Sequence, residues 1–116
     1  MTFTVPSACT GCHVLAEGAT VTVAAPADPI PPGGAVDITV TVTLPVLGAN
    51  SMAGVFLLKG AAGVQESVTA DGWTIVSDPN GGAFNYVEKD GLSAGKSAKF
   101  VWSLKAPGTA GEYQVH

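Results

Sequence analysis

From Val36 to Leu44 every even position is aliphatic and every odd position is Asp or Thr. Only an extended chain sends alternate side chains to opposite faces, so this stretch predicts a strand with one buried and one wet face. A helix would scatter the same residues around its axis. Glycine and proline together fill 23 positions (15 + 8), and charged residues make up 12% of the chain, against about 25% in an ordinary globular domain. That profile fits a turn-rich β protein with a surface of Thr, Ser, Ala and Gly.

Other segments repeat the pattern. Thr2-Phe3-Thr4-Val5 alternates and stops at Pro6, as a short edge strand would. Thr20-Val21-Thr22-Val23 alternates before the break at Pro26, Pro31, Pro32, Gly33 and Gly34. Ala53 to Leu58 lacks alternation and predicts a strand buried on both faces. Trp73–Val76 and Phe84–Val87 flank Pro79-Asn80-Gly81-Gly82, and the Asn-Gly pair predicts a hairpin between them. Lys99–Leu104 places Phe100, Trp102 and Leu104 on one face; Glu112–His116 turns Tyr113 and Val115 inward and His116 outward.

About eight such strands, with no helical stripe of ten residues, predict an all-β antiparallel sandwich. A chain of 116 residues makes one domain, 1–116, with one core. Thr109-Ala110-Gly111-Glu112-Tyr113 looks like the turn before the penultimate strand of immunoglobulin-like domains, where a tyrosine bonds back to upstream backbone. The last strand of such a sandwich is then missing. Thr2–Val5 folding back, a strand donated by a neighbouring chain, or a fragmentary sequence would each account for the gap.

The two cysteines of the chain fall in one run, Cys9-Thr10-Gly11-Cys12-His13. C-x-x-C-H is the attachment signature of c-type haem: each thiol adds across a vinyl group and the adjacent imidazole takes the iron. Cys9 and Cys12 are thus expected as thioether sites and His13 as proximal ligand of one covalently bound haem c. Rival readings are a redox pair, which belongs in a thioredoxin-like βαβ setting, a zinc site short of four well-spaced ligands, and a Cys9–Cys12 disulfide closing a tiny loop.

With the strands that follow it, the run Cys9 to Ala16 resembles extracytoplasmic β-rich c-type cytochromes. Cytochrome f, with haem near the N-terminus of an immunoglobulin-like domain, and secreted domains joining C-x-x-C-H to a reelin-like sandwich share the architecture. The resemblance implies electron transfer in the periplasm, at the cell surface or outside the cell, a leader removed upstream, and redox proteins as partners. A homo-oligomer or filament through strand donation is an extension of that reading.

Three groups compete for the sixth iron position. His116 is the only histidine besides His13, and its outward place suits an axial ligand to its own haem or a neighbour's; the alternative is a solvated chain end. Met52, in the loop before a strand, is second. The amine of Met1 is third, following cytochrome f. Trp73, Trp102, Phe56, Phe84, Phe100 and Tyr86 are read first as core.

Other functions find little footing. A net charge of −4 with no basic cluster lacks the footprint of nucleic-acid binding, and no apolar run reaches the roughly 18 to 20 residues of a membrane span. Asp37, Glu66, Asp71, Glu88 and Asp90 are scattered, the serines lack a nucleophile elbow and no phosphate loop occurs, so an enzyme is not expected. The rival class is a haem-free secreted binding or structural module; a third is a haem sensor with an open iron position.

Overall fold

A computed structural model describes residues 20–44, 51–61, 63–93 and 95–116. The predicted strand Thr2–Val5, the run Cys9–His13 and Met1 lie outside them. Among the described residues the chain forms six strands: β1 (Thr20–Ala24), β2 (Ala35–Thr43), β3 (Ser51–Phe56), β4 (Thr74–Ser77), β5 (Tyr86–Leu92) and β6 (Ser97–Lys105). All pair antiparallel, in a four-stranded sheet of order β1-β2-β6-β4 and a two-stranded sheet β3-β5. One turn of 3₁₀ helix, Val68–Asp71, is capped by Ser67.

β2 and β6 are the spine. Their nine-residue ladder runs from Ala35↔Lys105 to Thr43↔Ser97, bringing Val36, Ile38, Val40 and Val42 onto the same face as Leu104, Trp102, Phe100 and Ala98. Each of these eight is at most 9% exposed. At roughly 1.5–3 kcal/mol for each large apolar side chain buried, this two-strand face is the main source of cohesion. Ala53 and Val87 from the other sheet join it in one continuous core, with Leu57, Trp73 and Val115.

Two expectations are corrected. The stretch from Ala53 is not buried on both faces: Met52 is 39% and Phe56 46% exposed, and consecutive burial begins only at Leu57 and Leu58. The outward face of β3 meets its one ladder partner instead, where Phe56 stacks on Tyr86 with ring centroids 4.1 Å apart. Gly54 makes room for that ring, since a Cβ there would come within 2.5 Å of the Tyr86 hydroxyl. The second correction is the hairpin. Residues 79–82 do reverse the chain, but β4 pairs with β6 and β5 with β3, so the reversal crosses between sheets.

The chemistry of that crossover explains the difference. A two-residue I′ hairpin needs positive φ at both central residues, whereas among the described residues only glycines take positive φ, here Gly81 at 87°. Asp78 organises the loop. Its carboxylate accepts from the backbone N–H groups of Asn80 (2.7 Å), Gly82 (3.1 Å) and Phe84 (2.9 Å), and its own backbone bonds Gly81 and Gly82. These contacts, led by the Phe84 N–H, hold the Asp78 carboxyl below its ordinary value.

Candidate functional site

Of the residues assigned to iron, His116 is the one that the structure describes closely. Past Phe56 the chain of β3 continues irregularly through Leu57–Gly60, which is flanked by backbone on two sides. Glu66–Val68 lies on one, through Lys59 N–H to Glu66 O (2.9 Å) and Val68 N–H to Leu57 O (3.4 Å). Gln114–His116 lies on the other: Leu58 and His116 exchange both backbone bonds (2.7 and 2.9 Å), and Gly60 N–H donates to Gln114 O (2.7 Å). The expected strand Glu112–His116 is thus a short bridge about Lys59↔Val115 rather than a full ladder.

This register sets the faces. Residues directly opposite in an antiparallel pair share a face and successive residues alternate, so Val115 goes with Lys59 and His116 with Leu58. Val115 is fully buried in the core. His116 is on the other face, as expected, but it is only 6% exposed. It is not a solvated residue. Leu58, its partner, is 8% exposed and, alone among the buried apolar residues described, stands outside the continuous core. The ladder therefore has a second buried face, occupied by a leucine and an imidazole.

The ring is held in one orientation. His116 Nδ1 lies 2.8 Å from the carbonyl oxygen of Gly60, and a carbonyl only accepts, so the hydrogen is on Nδ1. Gly60 has φ 74°, a left-handed conformation that a side chain would strain. Nε2 of His116 is buried and has no hydrogen-bond partner among the described residues. Leaving such an atom unpaired costs roughly 1–3 kcal/mol. An imidazole with Nδ1–H on a backbone carbonyl and a bare Nε2 has the form in which histidine binds metal, the carbonyl fixing both tautomer and ring angle. The tautomer is the one an axial ligand needs, but Nε2 is covered by protein atoms, so no space for a metal is open at it.

The remaining candidates fare differently. Met52 is inside β3, not in a preceding loop, and on its exposed face. Trp73, Phe100 and Trp102 are core, as expected, while Phe84 is 70% exposed and, with Phe56, is corrected from core to surface. Trp73 keeps its Nε1 buried without a partner, edge-on to Tyr113. Asp37 accepts from Ser103 Oγ. Glu66 and Asp71 flank Lys59 at 3.0 and 3.8 Å, and Glu66 above all raises the Lys59 pKa. Among the described residues no three His, Cys, Asp or Glu side chains converge as a metal site, and no helix is long and apolar enough to cross a membrane.

Sequence reasoning missed the parts played by Gly60, Leu58 and Asp78. A glycine ending the apolar run at Leu57-Leu58-Lys59 was the available sign for the first. Compared with protein-family models, with curated proteins and with solved structures, the chain finds no match in any of the three.

Proposed function

We propose that this chain is an exported mono-haem c-type cytochrome domain whose work is single-electron transfer to redox partner proteins. The observation that carries the reading is the run Cys9-Thr10-Gly11-Cys12-His13, which holds every cysteine of the chain. In it Cys9 and Cys12 form the thioethers and His13 binds the iron. Haem supplies the one-electron couple; the polypeptide fixes ligation, limits water and sets the polarity around the metal.

The finer architecture goes with it. In immunoglobulin-like sandwiches one sheet runs A-B-E-D, the other pairs strand F with strand C, and a tyrosine at the start of F bonds upstream backbone. The order β1-β2-β6-β4 parallels the first, and Gln114–His116 against Leu58–Gly60 parallels the second. Tyr113 Oη donates to Thr109 O at 2.7 Å. β5, which follows β4 yet pairs with β3, is an addition to that plan. We read the domain as immunoglobulin-like on these features.

The test is intact mass and a reduced absorption spectrum of the chain produced in a host that attaches c-type haem. A gain of one haem, resistant to acid-acetone extraction, with sharp α and β bands supports the proposal. A colourless protein of bare polypeptide mass overturns it in favour of a haem-free secreted module.

A further inference from the structure

We propose that Asn80–Gly81 is a deamidation site and that Asp78 is the residue that keeps it closed in the folded chain. The proposal goes beyond the electron-transfer reading and stands or falls without it, since every residue it needs lies in or beside the crossover from β4 to β5.

The chemistry is local to the pair. Asn80–Gly81 is the one Asn-Gly step in the sequence, and glycine, with no Cβ, leaves its nitrogen open to close approach. The Gly81 nitrogen gives its proton to water and bonds to Asn80 Cγ; the Cγ–Nδ2 bond breaks and ammonia leaves, giving a cyclic imide. Water then opens the imide at either carbonyl, to aspartate or to isoaspartate, whose main chain is longer by one carbon.

The fold opposes the first of these steps. Gly81 N–H, the group that must lose its proton, donates to Asp78 O at 3.0 Å. That bond closes a turn whose central residues, Pro79 and Asn80, both keep negative φ with no cis peptide. This is the type I form, with a ψ of about 0° at its second central residue. Ring closure needs the Gly81 nitrogen eclipsed with the Asn80 Cβ, and such a ψ turns the nitrogen away. The carboxamide is tied as well, through Nδ2 to Glu88 O at 3.4 Å.

Asp78 fastens this arrangement from both sides. Its Oδ1 accepts from the N–H groups of Asn80 and Gly82, which flank Gly81, and its Oδ2 from that of Phe84. The Gly81 nitrogen is therefore freed only when the clasp opens. Once formed, a carboxylate at residue 80 stands in the cleft that Asn80 lines with Glu88 and Asp90, where like charges repel. Phe84, at the end of the clasp, carries the carbonyl bonded by Trp102 Nε1, so modification loosens the tie between this loop and β6.

The full chain, folded and in concentrated urea, is incubated in mildly alkaline buffer, and exchange of the Asn80 amide for a carboxyl is followed by peptide mapping and mass. The folded chain is expected to react at least roughly tenfold more slowly than the unfolded one, the factor for an opening that breaks one or two net hydrogen bonds. Asp78→Ala is expected to recover roughly that factor. Opening confined to the loop also predicts a rate in the unmutated chain that stays flat as urea is raised toward the unfolding transition, whereas exposure through global unfolding climbs with the full unfolding slope. Should Asp78→Ala fail to fold, this urea series decides alone. Equal rates in folded and unfolded chain, no reaction at residue 80 in either, an unchanged rate in folded Asp78→Ala, or a rate that climbs from the first addition of urea each overturns the proposal.

Discussion

Trp102 Nε1, on the central strand β6, donates to the backbone carbonyl of Phe84 at 3.0 Å, joining the four-stranded sheet to the loop that crosses toward the other. The indole is fully buried, and its one polar atom satisfies a carbonyl that lies outside any ladder. Trp102→Phe keeps an aromatic ring but removes the donor and leaves a void. We expect a loss of about 2–4 kcal/mol, the combined scale of a core cavity and an orphaned carbonyl, read as a lower urea midpoint at unchanged slope.

Asp78 governs the other end of that loop. Its folded pKa is lowered, chiefly by the Phe84 N–H, so its contribution is fully present above the unfolded carboxyl value of about 3.9 and is lost as pH falls through the folded value. Wild-type stability should therefore drop on acidification below about pH 4, and that part of the drop should vanish in Asp78→Asn. At pH 7 Asp78→Ala leaves backbone donors unpaired and is expected to cost about 2–3 kcal/mol. Chemical denaturation at several pH values checks both.

How much of this was legible in advance depends on where the information resides. β2 and β6 could be read from alternation, because their faces are as different as core and water. The bond from Tyr113 back to upstream backbone was legible too, since Thr109 to Tyr113 is a local motif. The 79–82 reversal was read correctly as a reversal and wrongly as a hairpin: Asn-Gly encodes a change of direction, while pairing is decided by distant strands. His116 was placed on the right face with its solvation left open, because alternation reports which side a residue takes and not whether that side is covered.

Tyr113→Phe removes only the hydroxyl bonded to Thr109. One hydrogen bond at this level is worth about 0.5–1.5 kcal/mol, which for a domain of this size lowers the melting temperature by several degrees. A thermal melt of the variant beside the wild type should show a shift and no change in far-ultraviolet circular dichroism.

Gly54→Ala tests the open face of the smaller sheet. The added methyl would meet the hydroxyl end of Tyr86, so the ring must shift against Phe56. Weakening of a stack worth about 0.5–1.5 kcal/mol should appear as altered chemical shifts at Phe56 and Tyr86 with an intact β2–β6 ladder.

Among the described residues the four-stranded sheet ends in β4, and its ladder with β6 skips a residue between Ile75 and Ser77, leaving Val76 63% exposed. A kinked border of this kind breaks the row of main-chain donors and acceptors that an incoming polypeptide would need to zip onto. A strand arriving on that flank would meet a broken register in place of a continuous edge.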